Sequence, residues 1–300
     1  MKTRKLLIVL ALSVICMLAM TALAFAEEEI DALNGIVYAA SETTDSVPVT
    51  VTVKDSTGAP LSGVDIDYQG MYRLNFGITN SDGETVKNIK PGNYNFIATY
   101  KGTTSIENVT IDAENNTVSF QTANITVEVK NSKGEPINDS GIIYGVNGTD
   151  YHFGKTGENG VVNRELFPGS YMFKASYKGT SSVQESVTVS DGSVVSFKTT
   201  NVKLHFSGKI RYKAGNYAYY YSEEMFPGTY EFLFSRNGRP EKGLTITVPA
   251  DSNIEKSIAY VTLLDSKGQG IAGANINSYN GAWNFNQGTT NNRLLLSVDR

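Results

Sequence analysis

Pro91-Gly92-Asn93-Tyr94-Asn95-Phe96 returns as Pro168-Gly169-Ser170-Tyr171-Met172-Phe173 and again as Pro227-Gly228-Thr229-Tyr230-Glu231-Phe232. The copies begin 77 and 59 residues apart. Self-similarity at such a period fixes an architecture before any local propensity is weighed. Pro-Gly suits the two central positions of a type II turn, where proline presets φ and glycine accepts a positive one. The alternating Tyr-x-Phe that follows predicts a strand with its aromatic pair turned to a core. A short echo, Tyr100-Lys101-Gly102-Thr103, follows the first copy, and Tyr177-Lys178-Gly179-Thr180 follows the second.

Working upstream, a second echo opens the units. It reads Val53-Lys54-Asp55-Ser56-Thr57-Gly58-Ala59-Pro60, then Val129-Lys130-Asn131-Ser132-Lys133-Gly134-Glu135-Pro136, then Leu264-Asp265-Ser266-Lys267-Gly268-Gln269-Gly270. Asp or Asn followed by Ser-x-Gly is a turn signal. Before it run alternating apolar positions: Val49, Val51, Val53; Ile125, Val127, Val129; Val202, Leu204, Phe206; and Val261, Leu263. Period-2 alternation predicts half-buried strands. The fold class is therefore all-β, with tandem immunoglobulin-like β-sandwich modules in an elongated rod. Four modules are expected, at 47–122, 123–199, 200–259 and 260–300, after an acidic lead-in at 27–46. The third lacks the Gly-x-Pro turn, and the fourth stops before any Pro-Gly-x-Tyr-x-Phe. Phe120-Gln121-Thr122 runs into Ala123-Asn124-Ile125 without a spacer, which predicts stiff connections. A module of roughly 75 residues is marginal alone, so contacts between neighbours should matter.

At the chain start, Lys2, Arg4 and Lys5 precede an apolar run from Leu6 to Met20, then Ala24-Phe25-Ala26 and Glu27-Glu28-Glu29. That is the three-part pattern of a secretory signal peptide, residues 1–26. Its removal leaves 23 basic and 30 acidic residues, a net charge of −7, which argues against nucleic acid or an anionic membrane as partner. The single cysteine, Cys16, lies in that segment, so no disulfide or thiolate site is expected in the secreted chain. A secreted, cell-surface-associated monomer without cofactor is the expectation.

The order strand, Asp-x-x-Gly-x-Pro, strand, Thr-x-x-x-Gly, Pro-Gly-x-Tyr-x-Phe resembles the B-type repeats of collagen adhesins. It is also similar to the carboxypeptidase regulatory-like domains that share their prealbumin-like sandwich. Thr79-Asn80-Ser81-Asp82-Gly83 and Thr156-Gly157-Glu158-Asn159-Gly160 supply the middle piece. The resemblance implies non-catalytic exported surface modules. Many such repeats form an internal Lys–Asn or Lys–Asp isopeptide bond. Here the positions that match the lysine are Val53 and Val129, and those that match the acid are Ala98, Ala175 and Phe234. No isopeptide bond is expected. A second likeness is to a repeat of large exported Gram-positive proteins, carried by Tyr279-Asn280-Gly281-Ala282-Trp283-Asn284-Phe285 and Gly288-Thr289.

Catalytic chemistry finds little purchase. A hydrolytic triad needs a base with its partners, and the two histidines, His152 and His205, fall in different modules. Asp65/Asp67, Asp82/Glu84 and Asp112/Glu114 are turn-forming pairs, well short of the six to eight oxygens that Ca²⁺ takes. Neither a catalytic nor a metal residue is assigned. The aromatics are the feature that points to binding. Tyr212, Tyr217, Tyr219, Tyr220 and Tyr221 crowd one hairpin. Flat exposed rings stack on sugars or proteins, while cross-strand pairing in the sheet is the favoured explanation for each tyrosine taken singly. The candidate ligand-binding residues are Tyr72, Tyr151, Tyr217, Tyr219, Tyr221 and Trp283. Three readings follow: a structural stalk or adhesive module, a polysaccharide-binding array with a polysaccharide or another surface protein as partner, and a regulatory appendage of a larger surface enzyme.

Overall fold

The computed structural model describes residues 46–236, 241–279, 283–289 and 294–299, with side chains as far as residue 277. The expected signal peptide and nearly all of the lead-in lie outside the described residues.

Module one contains β1 (Val47–Lys54), β2 (Asp65–Gln69), β3 (Arg73–Ile78), β4 (Glu84–Ile89), β5 (Gly92–Tyr100), β6 (Thr103–Ile111) and β7 (Thr117–Gln121). They form two facing sheets, ordered β4-β1-β7 and β3-β2-β5-β6. β1 pairs antiparallel with β4 and parallel with β7. The alternation in β1 does what it predicts: Val49, Val51 and Val53 are fully buried while Lys54 faces out. Ile66, Phe96, Ala98 and Ile111 complete the core from the opposite sheet.

Module two repeats the plan with β8 (Ala123–Lys130), β9 (Gly141–Val146), β10 (Thr149–Lys155), β11 (Val161–Leu166), β12 (Gly169–Tyr177), β13 (Thr180–Val189) and β14 (Val194–Lys198). Its sheets run β11-β8-β14 and β10-β9-β12-β13. Module three has β15 (Thr200–His205), β16 (Lys209–Ala214), β17 (Tyr217–Tyr220), β18 (Glu224–Met225), β19 (Gly228–Ser235) and β20 (Lys242–Val248). Its closing strand, β21 (Ile254–Val261), pairs parallel with β15 and then antiparallel with β24 (Leu294–Asp299). The boundary drawn at 259/260 thus falls inside one continuous strand that serves both units. β22 (Asn275–Tyr279) and β23 (Trp283–Thr289) form a separate hairpin.

The recurring motifs have specific local tasks. Asp55 Oδ1 accepts from the amides of Thr57 and Ala59, both at 2.9 Å, and Asn131 and Asp265 repeat this. Buried Thr79 donates to the Leu61 carbonyl (2.8 Å) and accepts from the Val64 amide (3.0 Å). Thr156 does the same with Ile137 and Ser140. The type II turn expected at Pro-Gly is not formed. Gly92, Gly169 and Gly228 instead open strands β5, β12 and β19. Their lack of a side chain lets the following tyrosine fold back, its hydroxyl donating to the carbonyl of the residue before proline: Tyr94 to Lys90 (2.9 Å), Tyr171 to Phe167 (2.7 Å), Tyr230 to Phe226 (2.9 Å). A Cβ on Gly169 would lie 2.8 Å from the Tyr171 hydroxyl.

Candidate functional site: the module junctions

The residues just before each Pro-Gly reach into the preceding module. Glu165 is the next-to-last residue of β11, and its carboxylate accepts from the Ser56 hydroxyl (2.5 Å), the Ser56 amide (3.2 Å) and the Thr122 hydroxyl (2.5 Å). Ser56 sits in the Asp55 turn of module one, and Thr122 is the last residue before β8. The carboxylate therefore clasps the turn, the linker and its own module together. Two positions on, Phe167 is fully buried and packs with the core of module one, edge-on to Phe120 at 6.2 Å. Its amide donates to Thr103 Oγ1 (3.1 Å), whose hydroxyl donates to the Tyr100 carbonyl (2.8 Å).

A third contact comes from the β5–β6 turn. Lys101 and Gly102 both have positive φ, 47° and 78°, the requirement of a type I′ hairpin turn. That shape presents the Lys101 carbonyl to module two, where the Tyr144 hydroxyl donates to it. Tyr151 stacks on Tyr144 at 5.5 Å and lies over Gly102, where a Cβ would come within 2.3 Å of the ring. Glycine is needed here twice, for its backbone and for its bareness.

The second junction is a replica. Glu224 accepts from the Ser132 hydroxyl (2.6 Å) and amide (3.0 Å) and from the Thr199 hydroxyl (2.5 Å), with Asn201 Nδ2 as a further donor at 3.4 Å. Phe226 is fully buried in the core of module two, edge-on to Phe197, and its amide donates to Thr180 Oγ1. The Tyr212 hydroxyl donates to the Lys178 carbonyl, and Tyr219 lies over Gly179. Burial pushes the Glu224 carboxyl up, but the Ser132, Thr199 and Asn201 donors outweigh it and hold it below its ordinary value. Burial pushes the Tyr212 phenol up to about 12.

These placements sort the aromatic candidates. Tyr151 and Tyr219 are consumed by the junctions. Tyr221 turns inward, its hydroxyl donating to the Val202 carbonyl and accepting from the Leu204 amide. Tyr72 and Tyr217 stand out in solvent, 72% and 71% exposed. Trp283 lies on β23, with its side chain outside the described ones. Among the described side chains, no arrangement brings the five tyrosines together. His205 lies at a surface edge with Glu255 at 2.5 Å. Lys54 and Lys130 point outward, and Val53, Val129, Ala98, Ala175 and Phe234 fill the core where the crosslinking chemistry would sit. Among the described residues no group of three His, Cys, Asp or Glu could hold a metal ion.

The junction residues escaped the reading of the sequence. Their signal is Glu165-Leu166-Phe167-Pro168-Gly169 and Glu224-Met225-Phe226-Pro227-Gly228, a motif that extends each Pro-Gly copy upstream. Module one departs from it, with Asn88 and Lys90 in place of the glutamate and the phenylalanine.

No family model matches the sequence, and no curated protein matches it. Among solved structures, the shaft pilin SpaA from Lactobacillus rhamnosus GG is similar at 15% identity, covering 51% of this chain and 96% of that one, with a TM-score of 0.25. The major pilin subunit BcpA of Bacillus cereus is similar at 9% identity, over 70% of this chain and 97% of that one, with a TM-score of 0.20. The Bacillus anthracis TIE protein is similar at 12% identity over 70% of this chain, with a TM-score of 0.22, and the match spans half of that protein's length.

Proposed function

We propose that this chain is a non-catalytic exported surface protein whose β-sandwich modules, clasped end to end, form a stiff spacer that serves adhesion. The observation that carries this reading is the junction made twice from the same parts: glutamate on a serine turn, phenylalanine in the neighbour's core, and tyrosine on a Lys-Gly turn. A flexible string of independent domains needs none of these contacts. A polysaccharide-binding array is supported less, because Tyr151 and Tyr219 are covered. The exposure of Tyr72 and Tyr217 keeps it as a second reading.

Small-angle X-ray scattering on the chain from Glu27 tests the first reading. One extended particle is expected, and it should become flexible when Glu165 and Glu224 are both changed to alanine. A flexible profile before any substitution overturns the reading. Retention on an insoluble polysaccharide that is lost on changing Tyr72 and Tyr217 to alanine would favour the array.

A further inference from the structure

A groove of about 480 Å³ runs along the second junction, walled by Lys174, Ser176 and Ser181 of module two and by Lys213, Tyr219 and Thr229 of module three. Neither module makes it alone, because docking brings the two walls together. Ligand sites of this size commonly form where two domains meet. Ala214 is the one purely aliphatic side chain among the described residues that line it. The groove is therefore a poor seat for a lipid or for the apolar side chains of a peptide.

The two junctions differ here, although their clasps match. Strand pairing puts Lys174 where module one has Ile97, and Lys213 where module two has Gly145. Docking is complete at the first junction without either lysine, so docking does not account for them. Lys213 is held by Glu231 at 2.7 Å. Lys174 is half-buried and pairs with no carboxylate among the described residues. Lys174 and Ser176 are two apart on β12, and Ser181 lies across from Ser176 on β13, so the three share one face. The hydroxyls of Ser176 and Ser181 have no partner among the described residues. A cation without a counter-ion, flanked by free hydroxyls, suits a ligand that carries both a carboxylate and hydroxyls of its own.

We propose that this groove binds an acidic saccharide, with the sugar carboxylate on Lys174 and the sugar hydroxyls on Ser176 and Ser181. The site rests on the docked second junction of the proposed spacer and makes no use of the exposed Tyr72 and Tyr217. It belongs to the second junction alone, since Ile97 and Gly145 supply no charge at the first.

Isothermal titration calorimetry of the chain from Glu27 with tetragalacturonate tests this, with neutral galactotetraose and tetraglutamate as companions. Tetragalacturonate is expected to bind, and Lys174→Gln to bind it about tenfold more weakly, the loss of one charged hydrogen bond. Galactotetraose should bind the parent chain weakly by a similar factor. Added salt should weaken tetragalacturonate binding to the parent chain and change it little in Lys174→Gln. Lys155→Gln, on β10 outside the groove, should leave binding unchanged. Glu224→Ala, which removes the clasp that holds the two walls together, should weaken it. Absence of tetragalacturonate binding, or equal binding by Lys174→Gln, overturns the proposal. Tetraglutamate binding as tightly as the saccharide also overturns it, by making an acidic peptide the ligand. A chain that scatters as one stiff particle yet binds no tetragalacturonate sinks this inference alone and leaves the spacer standing.

Discussion

The two junctions use the same contacts although the strands that deliver them differ. β11 is six residues long, with Glu165 and Leu166 as its last two, whereas β18 consists of Glu224 and Met225 alone. The glutamate nonetheless meets the serine turn at 2.5–2.6 Å in both, and the phenylalanine is fully buried in both. The docking chemistry therefore resides in Glu-x-Phe-Pro-Gly and in the serine turn that receives it, and not in the sheet behind it. The second junction adds one donor, Asn201, which the first lacks.

Removing the knobs should have the largest effect. Phe167→Ala and Phe226→Ala each open a cavity in the neighbouring core, an expected loss of about 3–5 kcal/mol. The free energy of the first urea transition measures it. Equal losses support two equivalent junctions, and a much smaller loss at Phe226 would tie docking to the longer strand.

Next come the clasps. Glu165→Ala or Glu224→Ala leaves serine and threonine donors without their charged acceptor and should cost about 1.5–3 kcal/mol. The Glu224 carboxyl is held below its ordinary value in the fold. Its stabilisation is therefore complete above the unfolded value of about 4.3 and fades as pH falls through the lower folded value. Unfolding midpoints between pH 6 and pH 2 should show a limb that Glu224→Gln flattens. Asn201→Ala should shrink that limb without abolishing it.

Gly102→Ala and Gly179→Ala force a left-handed backbone on a residue with a Cβ and push it into a tyrosine ring. About 1–2 kcal/mol is expected from the backbone alone, and near-ultraviolet circular dichroism should report the displaced rings. The smallest effect is that of Tyr212→Phe, about 1 kcal/mol. The Tyr212 phenol sits at about 12 in the fold against roughly 10 when unfolded, so its contribution is intact below pH 10 and is lost between pH 10 and 12. The variant should lose part of that alkaline limb. Tyr221, also pushed up to about 12, and Tyr144, Tyr171 and Tyr230, each raised by burial, supply the remainder.

What could be read from the sequence was what repeats within a few residues. Val49, Val51 and Val53 announce their burial by alternation, and Asp55 announces its turn because its partners are two and four residues away. The clasps were hidden because Ser56 and Glu165 are 109 positions apart, and Ser132 and Glu224 are 92. No local period encodes such a pair. The turn misassigned at Pro-Gly has a related cause. The glycine there serves a tyrosine ring two residues on, a packing demand that turn statistics do not contain. Of the aromatic candidates, strand parity correctly set Tyr219 and Tyr221 on one face and Tyr220 on the other. What parity leaves out is whether a neighbouring module covers that face.

The parallel pairing of the first and last strands of each module has a mechanical consequence. In module one, positions Thr50 to Lys54 lie alongside Thr117 to Gln121, and β8 and β14 repeat the arrangement. A pull on the chain from its two ends draws β1 one way and β7 the other, along their shared axis. The hydrogen bonds between them are then sheared all together and not peeled one by one. Each module would thus resist stretching most strongly along the direction in which the chain runs, whatever its stability to heat.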